Sequence, residues 1–266
     1  MVIRSAINED EKYLKLLWTD CFQDPIEYVD FYFKYRFRSN FCAVLEINNE
    51  IVGMIHLLPC KIEPDQKAMY WYAAGIRSDK RKQGLFRKFA IHVKESINQL
   101  GYQNICVPAE GLESVYLSLG FENAYTAKDL IFRKKEEHDK KSNDARIEQA
   151  KAKDFYELAT KKGDTLWDME AISYAIQENL LCDGKVLKIY NGETIFVCFA
   201  IRKDENMFLI DYQNFNFYEF ELIKNALFEF LQCKTLILRI AGKDKIVGLT
   251  DSKFITENSK ITMTLA

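Results

Sequence analysis

Residues 76–86 read Ile-Arg-Ser-Asp-Lys-Arg-Lys-Gln-Gly-Leu-Phe. A strand-like run from Met69 to Ile76 stops, charged and polar residues follow, and at Leu85 an amphipathic helix begins. A turn rich in free backbone N–H groups that opens straight into a helix is an anion site. The first amides of a helix lack carbonyl partners, and the helix dipole favours negative charge beside them. Gly84 offers a backbone without a Cβ for close approach, and Arg81 and Lys82 add positive charge. The chemistry this stretch predicts is the holding of a phosphate or pyrophosphate.

The flanking elements follow from periodicity. Residues 2–6 form a first short strand, Asn8 to Phe22 repeats apolar residues near helical spacing, and Asp24-Pro25 opens a second helix with Asp24 as N-cap. Strands are expected over Phe41 to Ile47 and Ile51 to Cys60, joined by Asn48-Asn49, and then over Met69 to Ile76. Behind the anion turn, Leu85, Phe86, Phe89, Ala90, Val93, Ile97 and Leu100 make one apolar stripe, and Gly101 ends it. A strand at Tyr102 to Val107, a short helix and a strand at Tyr125 to Phe132 complete this half.

The segment Arg81-Lys82-Gln83-Gly84-Leu85-Phe86 resembles the acyl-CoA signature of the GNAT superfamily of N-acetyltransferases, Arg/Gln-x-x-Gly-x-Gly/Ala. Phe86 departs from it, standing where a small residue is usual. Ile76 fits the hydrophobic end of the family's preceding strand. A second landmark, Ser114-Val115-Tyr116-Leu117-Ser118-Leu119-Gly120-Phe121, resembles the family's short helix with a tyrosine ahead of Gly-Phe. The resemblance covers roughly the first 135 residues. It implies an α+β fold, a splayed mixed sheet flanked by helices, in which the strands before and after the long helix part around the cofactor's pantetheine arm.

The same resemblance implies acetyl-CoA as cofactor and transfer of its acetyl group to an amine of a small molecule or peptide. Tyr116 becomes the candidate general acid for the coenzyme A thiolate. The backbone near Ala74 and Gly75 polarises the thioester carbonyl, and amides from Lys82 through Gln83, Gly84, Leu85 and Phe86 to Arg87 take the pyrophosphate. The base is open. The strand before the turn, Met69 to Gly75, carries no carboxylate. Glu110, just past Pro108, is one candidate; water, Tyr72 and the C-terminal carboxylate of Ala266 are others. A non-catalytic acyl-CoA-binding module is the competing reading.

Composition narrows the classes. A chain of 266 residues, 48% hydrophobic and 29% charged, builds a core and is long enough for two domains. A formal net charge of −2 gives no general pull toward nucleic acid or anionic membrane. No apolar run reaches the roughly 20 residues of a membrane span, and the N-terminus has no signal-peptide shape. Cys42, Cys60, Cys106 and Cys198 lie inside apolar runs and no Cys-x-x-Cys pair occurs among the seven cysteines, which predicts reduced core thiols in a cytoplasmic protein. The histidines have no ligand spacing, so no metal site is expected.

Residues 1–135 are expected to form the acyl-CoA-binding domain, 136–145 a charged linker, and 146–266 a second, smaller domain. There, Trp167 to Leu181 reads as a helix, three strands follow from Lys185, Thr194 and Met207, Phe217 to Leu231 carries another helical stripe, and strands are expected at Thr235 to Ile240 and Ile261 to Leu265. That order repeats the first half and suggests a degenerate GNAT-like domain. Its corresponding turn, Gln213-Asn214-Phe215-Asn216, has neither glycine nor positive charge, so it is not expected to cradle phosphate.

Overall fold

The computed structural model describes residues 1–62, 66–134, 145–160, 167–242 and 244–251. Contacts divide the chain into two units, the first built from residues 1–124 with residues 248–251 and the second from residues 125–247. Residues 136–144 of the segment expected as a linker, the strand expected at Ile261 to Leu265, and Ala266 lie outside the described residues.

In the first unit a mixed sheet runs in the order β1 (Val2–Ser5), β2 (Cys42–Ile47), β3 (Glu50–Ile62), β4 (Gln66–Ile76), β5 (Gln103–Cys106). β1 to β4 are antiparallel neighbours, and the Asn48-Asn49 turn between β2 and β3 has both residues at positive φ, as a tight hairpin requires. β4 and β5 are parallel and joined by the helix α3 (Leu85–Gln99), a crossover connection. Of the predicted stripe α3 buries Phe89, Ala90, Val93 and Ile97; Leu85 and Phe86 are half-buried, and Leu100 stands exposed because the helix ends at Gln99 and leaves it as the C-cap. α1 (Glu11–Phe22) and α2 (Ile26–Tyr35) bury Leu14, Leu17, Trp18, Val29, Tyr32 and Phe33, and α4 (Glu113–Leu117) is the short helix before Gly120-Phe121. A late segment, β12 (Lys245–Thr250), returns to this unit and pairs Leu249 and Thr250 with Cys106 and Ile105.

The cap of α2 differs from expectation, whereas the core thiols are as expected. Pro25, not Asp24, is the N-cap of α2, because the Asp24 carboxylate instead accepts the indole N–H of the buried Trp18 at 2.8 Å. A buried indole left without a partner would cost more than a missing cap on an exposed helix end. Cys42, Cys60, Cys106 and Cys198 are buried free thiols, and burial pushes the thiol of each upward, that of Cys60 to about 12.

The second unit holds its own mixed sheet, in the order β6 (Glu122–Arg133), β11 (Thr235–Ala241), β10 (Met207–Asp211), β9 (Thr194–Asp204), β8 (Lys185–Asn191), β7 (Arg146–Gln149). β10 and β11 are parallel and joined by α7 (Phe217–Leu231), which repeats the crossover of β4, α3 and β5. Phe220, Ile223 and Leu227 of α7 are fully buried against Ile189, Ile210, Leu236 and Leu238. α5 (Ala152–Thr160) and α6 (Met169–Leu181) also belong to this unit. Arg239 is a buried charge of this unit; it donates to both oxygens of Asp129 at 2.8 Å and to the more deeply buried Asp211 at 3.2 Å.

Candidate active site

The site begins where two strands part. β4 and β5 are paired from Ala68 and Gln103 to Trp71 and Cys106. β4 then runs on through Tyr72, Ala73, Ala74 and Gly75 to Ile76, held on its other side by β3 alone. Among the described residues no strand pairs with that edge, and at its end the Ile76 carbonyl is taken by side chains, those of Arg81 and Cys21. Ala74 and Gly75, the positions expected to polarise a carbonyl, lie on this stretch opposite Ile55 and Met54. Gly75 is small for a packing reason: a Cβ there would come within 2.6 Å of the Cys21 Sγ on α1.

Past Ile76 the chain makes a single turn of 3-10 helix, Ser78–Lys80, and enters α3 through Lys82 and Gly84, both at positive φ, 59° and 70°. Gly84 caps α3 without any side-chain hydrogen bond. Among the described residues, the amides of Lys82, Gln83, Gly84, Leu85, Phe86 and Arg87 find no acceptor; the first one engaged is that of Lys88, which donates to the Gly84 carbonyl. A Cβ added to Gly84 would meet nothing within 4 Å. Glycine is needed here for its left-handed backbone, and the space before it is open. Alternating left-handed residues with outward N–H groups form an anion-binding concavity.

The positive charge is distributed otherwise than the sequence suggests. Arg81 turns back into the fold: its Nε donates to the Ile76 carbonyl at 2.9 Å and its guanidinium to the Asp20 carbonyl at 3.3 Å. It fastens the turn to the end of β4 and to α1 instead of projecting a free charge. Arg77 is paired with Glu50 and Asp79. Lys82 is exposed and makes no ion pair among the described residues. Asp20 completes the fastening, accepting from both the amide and the hydroxyl of Ser78 at 2.7 Å. These bonds, the Ser78 hydroxyl foremost, hold its carboxyl below the usual range. No local signal in the sequence links Asp20 or Cys21 to a turn 58 and 55 residues away.

The two sequence landmarks meet through their aromatic side chains. The Phe86 ring lies edge-on to Tyr116, with centroids 6.0 Å apart, and Arg87 donates to the Ser118 hydroxyl at 3.1 Å. Tyr116 also packs against Phe121 at 5.8 Å and against Trp71, the last residue of β4 paired to β5, at 6.4 Å. Its side chain is buried, yet its hydroxyl has no hydrogen-bond partner among the described residues. Burial, and secondarily the neighbouring Cys106, push the phenol above its ordinary value. Glu110 sits exposed on the turn between Ala109 and Leu112, and nothing among the described residues draws its carboxylate toward Tyr116.

On the opposite face of β4 lies an aromatic cluster that sequence spacing does not announce. Tyr32 stacks on Tyr72 with centroids 5.0 Å apart at 15°, Trp18 lies edge-on to the fully buried His56 at 5.3 Å, and the Tyr32 hydroxyl meets His56 Nδ1 at 3.1 Å. Burial lowers His56 to about 3, so its ring is neutral.

Solved structures share this fold. A GCN5-related N-acetyltransferase from Anabaena variabilis matches with a TM-score of 0.66 at 15% identity, covering 94% of this chain and 70% of its own. The fold is that of the GNAT acetyltransferases. Eis1 from Mycobacterium abscessus matches this GNAT fold with a TM-score of 0.62 at 8% identity over 92% of this chain and 67% of its own. A GCN5-related N-acetyltransferase from Kribbella flavida gives 0.59 at 12% over 98% and 68%. No family model matches the sequence, and no curated protein matches it. Among the described residues, no helix is long and apolar enough to cross a membrane.

Proposed function

We propose that the first unit binds acetyl-CoA and transfers its acetyl group to the amine of a small molecule or peptide. The unengaged amides of residues 82–87 are the observation that carries this reading. They suit the pyrophosphate of coenzyme A, with Lys82 adding charge at the rim and Arg81 holding the turn in shape. The unpaired edge of β4 from Tyr72 to Gly75 has the extended form that a pantetheine arm needs for strand-like hydrogen bonds, and an amide near Ala74 or Gly75 would polarise the thioester carbonyl.

Tyr116 would serve the leaving thiolate. An ordinary phenol has a pKa of about 10 and a thiol about 8.5, so passing a proton to the sulfur is uphill even before burial raises the phenol. Donating a hydrogen bond to the developing thiolate is favourable, and a phenol held in its protonated form is always ready to do so. Phe86 serves this arrangement by packing on the Tyr116 ring while its own amide stays at the helix start.

The second unit is read as a GNAT-like domain without a cofactor. Its crossover helix α7 is closed at the N-terminus by its own residues: the Asn216 carboxamide accepts from the Glu219 amide, and the Glu219 carboxylate accepts from the Asn216 amide. That capping box satisfies the amides a phosphate would need and puts a negative charge beside them.

Thiol release from acetyl-CoA in the presence of a panel of amines, with Tyr116→Phe beside the unaltered chain, tests the proposal. Turnover that falls at least tenfold in the variant while acetyl-CoA affinity holds supports it. Acetyl-CoA binding with no turnover for any amine favours the binding-module reading, and no binding at all rejects both.

A further inference from the structure

No carboxylate stands on β4, yet an acceptor amine must lose a proton before it attacks a thioester. The strand supplies something else. The pairing of β4 with β3 shifts between His56 and Leu57: His56 faces Ala73 and Leu57 faces Trp71, which leaves Tyr72 as an extra residue. Such a bulge re-aims a side chain. Trp71 accordingly packs toward Tyr116 and Phe121, while Tyr72 turns to the other face, onto Tyr32 and Trp18. There its hydroxyl lies 2.6 Å from that of Tyr28 on α2. Both tyrosines are half-buried, so the pair reaches from the strand toward the surface. Tyr72 is also the first residue beyond the last β4–β5 pair, at the start of the open edge.

We propose that the hydroxyls of Tyr72 and Tyr28 form the proton exit for the acceptor amine. This rests on the acetyl-transfer reading above. The two sides of the reaction are then divided between the two faces of β4, with the thiol leaving toward Tyr116 and the amine arriving at Tyr72. The ammonium gives a proton to the Tyr72 oxygen as Tyr72 passes its own to the Tyr28 oxygen and Tyr28 passes its own to bulk water. The neutral nitrogen attacks the carbonyl carbon, the N–C bond forms and the C–S bond breaks. The second nitrogen proton ends on the thiolate sulfur. One ammonium and one acetyl thioester thus yield one amide, one thiol and one released proton. Tyr72 is the group that touches the amine; Tyr28 is a positioning and relay residue acting through it.

The test compares Tyr72→Phe and Tyr28→Phe with the unaltered chain, using acetyl-CoA and 2-phenylethylamine, spermidine or a short lysine peptide as acceptor. Acetyl-CoA affinity is measured separately by calorimetry. Tyr72→Phe keeps the ring stacked on Tyr32, and the expected result is a fall in kcat/KM of roughly 100-fold near neutral pH, the usual scale for a general base. The deficit shrinks as pH rises toward the amine's own pKa, because the amine then arrives neutral. Tyr28→Phe gives a smaller deficit with the same pH dependence. Acetyl-CoA affinity stays within about twofold in both, since neither hydroxyl serves the cofactor. Should Tyr72→Phe fail to fold, Tyr28→Phe alone decides the matter, because it leaves β4 unchanged. A loss equal at every pH, or rates within threefold of the unaltered chain, overturns the relay. Acetyl-CoA that binds without thiol release in the unaltered chain also overturns it while leaving the cofactor site standing. Failure of acetyl-CoA to bind at all overturns the underlying reading instead.

Discussion

Replacing Asp20 by alanine should weaken coenzyme A binding without touching any group that would contact the cofactor. The Asp20 carboxylate holds the anion turn through two charge-assisted hydrogen bonds of 2.7 Å, to the amide and the hydroxyl of Ser78, and it lies 3.7 Å from Arg81. A hydrogen bond to a charged group contributes about 1.5–3 kcal/mol when well shielded. Here the side chain is one-third exposed, so each bond is discounted to about 1 kcal/mol, and the distant Arg81 contact adds little. The turn therefore loses about 2 kcal/mol of ordering, which binding must then supply, and the dissociation constant of coenzyme A should rise about 30-fold. Asp20→Asn, which keeps one acceptor oxygen, should lie in between. The sign with pH follows from the lowered carboxyl: the ordering is complete above the ordinary carboxylate pKa of about 3.9 and is lost as pH falls through the lower folded value. Calorimetric titration of coenzyme A into the three proteins at neutral pH checks the ranking. Affinities equal within twofold would refute the reasoning, because they would mean that the turn does not depend on α1 for its shape.

Three further outcomes are expected. His56 is buried and neutral, with its pKa lowered to about 3 while the unfolded chain takes up a proton near 6.5; stability should be full above that value and fall by about 1.4 kcal/mol per pH unit below it, a slope that urea melts of His56→Gln should show reduced. Arg239→Met takes the buried guanidinium away from Asp211 and Asp129, and should destabilise the second unit by about 3–5 kcal/mol in denaturant melts, whereas replacing Arg239, Asp129 and Asp211 together with apolar residues should recover much of that loss. Asn216→Ala removes the cap of α7 and should cost about 1 kcal/mol in the same melts, with no gain in coenzyme A binding by the second unit.

What the sequence made legible was local. The α3 stripe from Phe89 to Ile97, the Asn48-Asn49 hairpin and the turn around Gly84 each carry their signal within a few residues and formed as expected, while Leu100, at the end of the stripe, is exposed. What escaped depends on partners far along the chain. β12 is a short run interrupted by Gly248, and its pairing with β5 joins residues more than 140 positions apart. β7 is a four-residue strand carrying Arg146 and Glu148, too short and too polar for alternation to mark it. Asp24 has the composition of a helix cap and spends its carboxylate on Trp18. Arg81 has the composition of a phosphate ligand and spends its donors on the Ile76 and Asp20 carbonyls. Within the site, Phe86 departs from the small residue of the resembled signature, and its contact with Tyr116 gives the large ring a place that spares the helix amides. The Tyr28–Tyr72 pair is visible only once the bulge in β4 is known.

The amide resonances of residues 82–87, followed by nuclear magnetic resonance while coenzyme A is titrated into the full chain, test the central claim most directly. These amides are expected to shift together and their hydrogen exchange to slow on binding, because donors now open to solvent become engaged by the pyrophosphate. Saturable binding that leaves them unmoved, or shifts confined to the second unit, would contradict it.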